Sequence, residues 1–354
     1  MRTIVIAVAA MLCGAPLSAQ WLSEPTRAIP RLPDGKPNLS APTPRTADGK
    51  PDFSGLWLTP LHPGYVGNIA ADLDPADVLP AAARLFDERM GDFGKDDPAT
   101  IGCLPFGPRY ITGGGLLSRA KIVQTPALIV VLHEDLTYRQ IFMDGRALES
   151  DPHPSFMGYS VGRWEGDVLV IDSFGFNEGT WLDFGGHPHS ASLRITERYR
   201  RPDFGHVRRE ITLLDPQTFN KPIRVETDMV FSADTEMAEY VCAETPRDRF
   251  ELTGRSDAQK AIQVAPERLA AYAGVYDIGE ANTFDVRVLT VSLVSGRLVV
   301  DFNGKGRLPL VPLSQTVFSP RLLGTYEFVA DERGVVTHIQ VSGVESSVRA
   351  VRRR

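Results

Sequence analysis

From Lys121 to Phe231 the chain alternates apolar and polar residues in eight segments separated mostly by short turns, and this run leaves few folds open. The segments lie at about 121–125, 127–133, 137–143, 158–164, 168–174, 191–199, 206–214 and 223–231. Turns such as Glu165-Gly166 and Pro202-Asp203-Phe204-Gly205 separate them. Eight successive antiparallel strands with short links close most simply into an up-and-down barrel, because closure pairs the edges. Parity supports a packed interior: Leu193, Ile195 and Tyr199 share one face, as do Val207, Ile211 and Leu213, and Ile223, Val225, Met229 and Phe231.

The same parity turns two charges inward, Glu197 and Arg209. A buried carboxylate opposite a guanidinium is costly unless paired, so the two are expected either to close the barrel as a core ion pair or to clamp a substrate. On neighbouring segments Tyr159, Arg163 and Asp144 are candidates for the same polar cluster.

The 354 residues suffice for two domains, with 43% hydrophobic and 23% charged residues as in soluble globular chains. A formal net charge of -6 offers no basic excess for a nucleic-acid backbone. Residues 1–19 read as a signal peptide: Arg2, an apolar run from Ile4 to Cys13, then small residues ending at Ala19. That run is too short to span a bilayer, and no later stretch is long enough, so the mature chain is expected to be exported, periplasmic or secreted, without membrane insertion. Leu12 before Cys13 is not the small residue that lipidation requires. Cleavage leaves Cys103 and Cys242, which in an oxidising compartment form a disulfide or stay as two buried thiols.

Residues 20–118 read as an extended Pro-rich arm carrying a duplication, Asp34-Gly35-Lys36-Pro37-Asn38-Leu39-Ser40 and Asp48-Gly49-Lys50-Pro51-Asp52-Phe53-Ser54. One helix is expected from Pro80 to about Met90, where Ala81, Ala82, Leu85, Phe86 and Met90 recur at helical spacing. The barrel domain occupies 119–252. A polar linker from Thr253 to Ala265 leads to a smaller β-domain, 266–354, with strands near 284–293, 297–302, 324–330, 335–342 and 346–352.

The connection from Phe174 to Ser190 is out of proportion to its neighbours and holds Asn177, Glu178, Trp181, Asp183, His187 and His189. Over a barrel mouth it would set an acid, two imidazoles and an indole against a ligand. Pro188 extends the backbone, so His187 and His189 are expected to project to one side, as an acid/base pair, as two metal ligands, or simply bonded to the turn. One His-x-His pair is not a metal set, and no metal or redox cofactor is assigned. Gly158-Tyr159-Ser160-Val161-Gly162 matches the nucleophile-elbow pattern, with Asp183 and His187 following, but turn and strand come next where the elbow needs a helix. Ser118-Arg119-Ala120-Lys121 matches S-x-x-K but runs into a strand.

Taken together, Ser54-Gly55-Leu56-Trp57, Tyr138 to Arg146, Gly158 to Asp167 and Trp181 to His189 resemble a group of exported bacterial proteins of unassigned function. That resemblance spans most of residues 50–245 and brings no reaction with it. Gly55-x-Trp57 also resembles the first-strand signature of lipocalin-like barrels. Tyr272, Gly274 and Tyr276, with the closing basic strand, are similar to small β-modules appended to exported enzymes.

The fold expected is therefore mainly β, an eight-strand antiparallel lipocalin-like barrel plus a smaller C-terminal β-domain. The function expected is acid/base chemistry on a small, partly apolar ligand, as a lyase, isomerase or hydrolase. Asp183, His187, His189, Tyr159 and Glu197 would be catalytic, and Trp181, Asn177, Arg209, Asp144 and Arg163 would contact substrate. A non-catalytic carrier and an esterase using Ser160 are the alternatives, and the oligomeric state is left open.

Overall fold

The computed structural model describes residues 25–60, 65, 67–91, 96–112, 119–242, 262–279, 286–302, 307–320, 324–342 and 347–353. The signal peptide expected over 1–19 lies outside the described residues, as does most of the Thr253–Ala265 linker.

All eight expected strands form: β2 (Arg119–Gln124), β3 (Leu128–His133), β4 (Tyr138–Phe142), β5 (Tyr159–Glu165), β6 (Val168–Phe174), β7 (Arg194–Arg200), β8 (His206–Leu214) and β9 (Ile223–Phe231). They close in chain order as a barrel of nine, because β1 (Gly55–Leu58) slots between β2 and β9. The strand count was thus short by one, at the Gly-Leu-Trp-Leu segment inside the arm. An odd number of strands closing in chain order cannot alternate in direction all the way round. The exception is β4 with β5, which run parallel and meet at only two pairs, Ile141↔Ser160 and Phe142↔Val161. A parallel pair needs a crossover, and residues 143–158 supply it.

Both ends of the barrel are stoppered. At one end the arm contributes Phe53, 1% exposed, packed on Trp164 and Tyr199, together with Leu39 and Ala41 beside Phe204. The duplicated sequence folds twice into the same turn: Arg31 donates to the Gly35 carbonyl and pairs with Asp234, while Arg45 donates to the Gly49 carbonyl and pairs with Asp167. Each turn thus pins one stretch of arm to the barrel wall. At the other end α1 (Pro80–Gly91), α2 (Pro98–Ile101) and α3 (Pro108–Thr112) cover the mouth together with the 175–193 connection. There Ile111, Phe176 and Leu182 join Ile195, Ile211 and Val225 in one core. Cys103 and Cys242 are bonded, with 5.6 Å between their Cα atoms. The bridge therefore ties the α2–α3 lid to the chain leaving β9.

The C-terminal unit is a second nine-stranded sheet, in the order β13-β12-β11-β10-β18-β17-β16-β15-β14. Its strands are β10 (Gly274–Asp277), β11 (Val288–Val294), β12 (Arg297–Phe302), β13 (Arg307–Pro309), β14 (Val311–Pro312), β15 (Val317–Ser319), β16 (Thr325–Ala330), β17 (Val336–Ser342) and β18 (Ser347–Arg352). Only Leu310 separates the two edge strands, so the sheet curls into a barrel-like form around Tyr276, Val300, Phe318, Phe328 and Ile339. It rests on the lid: Val311 packs on Phe86 and Met90, and Arg297 pairs with Asp87.

Candidate functional site

In the long connection, Asp183 is the organising residue. Its carboxylate is fully buried and accepts from the amides of Ile69, Gly186 and His187 and from His187 Nδ1 at 2.5 Å. Burial pushes the carboxyl up, but the charge and hydrogen bond of His187, with the Ile69 and His187 amides, outweigh it and hold Asp183 below its ordinary range. His187 is stacked 3.8 Å from Phe86. The chain passes so close to residue 67 that a Cβ on Gly185 would lie 2.0 Å from the Gly67 carbonyl oxygen, so only glycine fits. Gly186 follows at φ +104, with its carbonyl held by Arg89.

His189 does not share this pair's surroundings. Its Nδ1 meets the Ser190 carbonyl at 3.1 Å, and its Nε2 lies 2.7 Å from the Thr180 hydroxyl, which also reaches the Asn177 carbonyl. Burial lowers its pKa, so it is neutral at pH 7 with both nitrogens engaged. The two imidazoles thus do not act as one hydrogen-bonded pair: each buried ring has partners of its own, Asp183 for His187 and Thr180 with the Ser190 carbonyl for His189. Trp181 is buried under the Arg89 guanidinium at 4.4 Å, with the Asp97–Arg109 ion pair beyond it. Asn177 caps a turn, accepting from the Gly179 amide, and Glu178 accepts from the Ala191 amide.

Inside the barrel Glu197 and Arg209 both point inward, but not at each other. Across β7 and β8 the register places Arg209 opposite Tyr199 and Glu197 opposite Ile211. Glu197 instead takes Arg139 at 2.5 Å from the far wall, and the Tyr199 hydroxyl donates to it at 2.8 Å. Arg139 also donates to Ser160 and Ser173, completing a buried network. Ser160 therefore sits mid-strand, bonded to a guanidinium and a hydroxyl rather than an imidazole, which is not the geometry of a nucleophile elbow. Its parity also explains Tyr159 and Arg163. If Ser160 points in, they point out: Tyr159 is exposed, and Arg163 pairs with Asp172 on the surface. Asp144 lies in the turn after β4, bound to Arg146. None of these three joins the interior cluster.

Arg209 is 3% exposed, yet no carboxylate pairs with it among the described residues. Its two hydrogen bonds, to the Ile111 carbonyl and the Thr59 hydroxyl, are both 3.4 Å long, and its Nε has no partner. It lines a cavity of about 40 Å³ with Thr59, Tyr110, Ile111, His133 and Arg139. His133 stacks on Tyr110 at 3.9 Å, and its ring nitrogens make no hydrogen bond to any described residue. Burial, helped by Arg139 and Arg209 and opposed by Asp135, pushes His133 down to about 4. Burial pushes Tyr199 up to about 12 and Tyr110 up as well, so both phenols keep their protons.

This depression fixes a pH dependence. In the unfolded chain His133 binds a proton near 6.5, while the folded barrel resists it until about 4. Between those values the unfolded state holds more protons, so stability is complete above the upper one and falls with pH. The loss is on the order of 3 kcal/mol for this residue. His189 adds in the same sense, whereas Asp183 acts only below the ordinary carboxylate range. Urea titrations between about pH 7 and pH 4.5 should show the slope, and His133→Gln should remove most of it.

The cavity and the Asp183–His187 pair are distinct places, since neither residue lines the cavity. Sequence reasoning missed Arg139 and His133, although the parity that turned Glu197 inward applies to them: Arg139 shares a face with Ile141, and His133 with Ile129 and Val131. It missed Asp97, Arg109 and Tyr110 because they lie in the segment read as arm. Among the described residues no group of three or more His, Cys, Asp or Glu could hold a metal ion. No protein-family model matches the chain, and no curated protein is significantly similar to it.

Proposed function

We propose that this is an exported protein that binds a small molecule through an anionic group at Arg209 and moves a proton on it with His133, as a lyase or isomerase does. One observation carries the reading: a buried guanidinium with no counter-ion among the described residues faces a cavity beside an imidazole whose nitrogens bond to none of them. A buried charge is costly unless paired, and a ligand carboxylate would supply the pair, bidentate to the planar fork. That anion would also offset the two guanidinium charges that add to burial in holding His133 neutral, raising its pKa toward the range in which it takes a proton. Tyr110, as a phenol, would donate toward developing negative charge, while the Tyr199 hydroxyl stays with Glu197. The disulfide and the resemblance to exported bacterial proteins support export. Asp183, His187 and His189 in this reading hold the lid; Asp183 and His187 also retain the makings of an acid/base couple, since His187 Nε2 makes no hydrogen bond to a described residue.

The test is proton exchange. The full chain is incubated in deuterated buffer with acetate, pyruvate, 2-oxobutyrate and phenylpyruvate, and loss of C–H signal is followed by proton NMR. Exchange above buffer rate is expected for at least one keto acid. His133→Gln should slow it about a hundredfold while leaving the dissociation constant within about threefold, and Arg209→Met should abolish binding. Binding that depends on Arg209 without exchange of any ligand would instead make the protein a carrier.

A further inference from the structure

The cavity at Arg209 is small. About 40 Å³ admits a carboxylate head or a few waters, far below the several hundred Å³ of pockets that enclose whole ligands. Whatever places its head there must keep the rest of its body elsewhere, and the barrel wall provides a place. The parallel junction of β4 and β5 holds at only two residue pairs. On its other side the chain before β5 leaves β4 and bonds to the long connection instead: the Ser155 amide donates to the Gly175 carbonyl, and the Asn177 amide to the Ser155 carbonyl. The strands splay, and the splay is a groove of about 450 Å³ lined by Pro105, Leu136, Tyr138, Phe142, Phe156 and Tyr159.

Arg139 and Met157 line both the groove and the cavity. Arg139 is fastened by Glu197, Ser160 and Ser173, whereas Met157 is an unbranched side chain with three rotatable bonds. The groove also carries exposed apolar surface: Leu136 is 61% exposed and Tyr138 57%.

We infer that the ligand is an aryl-substituted carboxylic acid which enters through the β4–β5 splay past Met157, seats its carboxylate on Arg209 and lays its ring in the Tyr138–Tyr159 groove. This rests on the anion-site reading above and adds the substrate class and the route. A phenyl ring suits the groove because flat apolar surface packs on Tyr138, Tyr159 and Phe156. The anionic head suits the cavity alone, since the groove's own lining offers only Arg139, already paired.

The experiment is calorimetric titration of the full chain with acetate, 3-phenylpropionate and 3-phenyl-1-propanol. The aryl acid should bind at least about tenfold tighter than either partial ligand. Tyr138→Ala and Leu136→Ser alter exposed side chains, so the fold should survive them. Each should weaken the aryl acid about tenfold or somewhat less and leave acetate unchanged. Acetate binding that depends on Arg209 while the ring adds nothing, or is insensitive to both groove variants, overturns this inference alone. Failure of both acids to bind, or binding unaffected by Arg209→Met, overturns the anion-site reading beneath it.

Discussion

Glu197→Gln is expected to destabilise the barrel by about 3–5 kcal/mol, the cost of leaving a buried ion without its partner. The amide keeps the shape of the carboxylate but not its charge, and Arg139, 4% exposed, pairs with no second carboxylate among the described residues. Ser160 and Ser173 solvate that guanidinium without neutralising it. The contrast is the double variant Arg139→Met with Glu197→Leu. Replacing both ions by apolar groups of similar volume removes the desolvation cost along with the attraction, so stability should lie within about 1–2 kcal/mol of the parent. Urea unfolding followed by tryptophan emission isolates the effect, because the chain's four tryptophans all lie at or before residue 181 and the C-terminal unit has none. A double variant as unstable as Glu197→Gln would show that the network holds the barrel by specific geometry and not by charge balance.

Cys103→Ser with Cys242→Ser should cost a comparable amount. The bond joins residues 139 apart in sequence, and the loop-closure entropy of a ring that long is worth about 5 kcal/mol. Measured losses for native disulfides run about 2–5 kcal/mol. Where the loss appears matters more. Cys103 precedes α3, whose Tyr110 and Ile111 line the cavity, so the lid should loosen before the barrel opens. Hydrogen exchange at the Tyr110–Thr112 amides should quicken ahead of β6 to β9, and reductant should reproduce the double variant. Uniform acceleration across lid and barrel would argue against a separately latched lid.

Much of the barrel was legible because one face of each strand is core and the period of two reports it. The missing ninth strand has only four residues, too short for alternation, and sits behind Pro-rich turns; only its pairing with β2 and β9 defines it. The long connection was legible as unusual, but its histidines were read as one projecting pair, whereas His187 bonds to Asp183 and stacks on Phe86 and His189 bonds to Thr180 and Ser190; the distant contacts, the Ile69 amide on Asp183 and the Phe86 ring on His187, come from the segment read as arm. Glu197 was visible by parity and its partner was not. Register decides which side chains meet across a barrel, and Arg139 comes from the opposite wall. A lone inward arginine on a short strand with exposed neighbours, Tyr138 and Gln140, carries little signal until the strand is placed.

The stoppers at the two ends of the barrel have an order of manufacture. Leu39 and Phe53 at one end, and Ile111 at the other, leave the ribosome before eight of the nine strands. The ring is sealed last, when β9 reaches back to β1 and Phe231 pairs with Trp57. Phe53 waits for Tyr199 to pack against, and Arg31 waits for Asp234, which follows β9. A nascent or translocating chain released short of Phe231 therefore carries the plug segments and no closed vessel, so docking of the arm through Arg31 and Asp234 reports completed synthesis of the barrel.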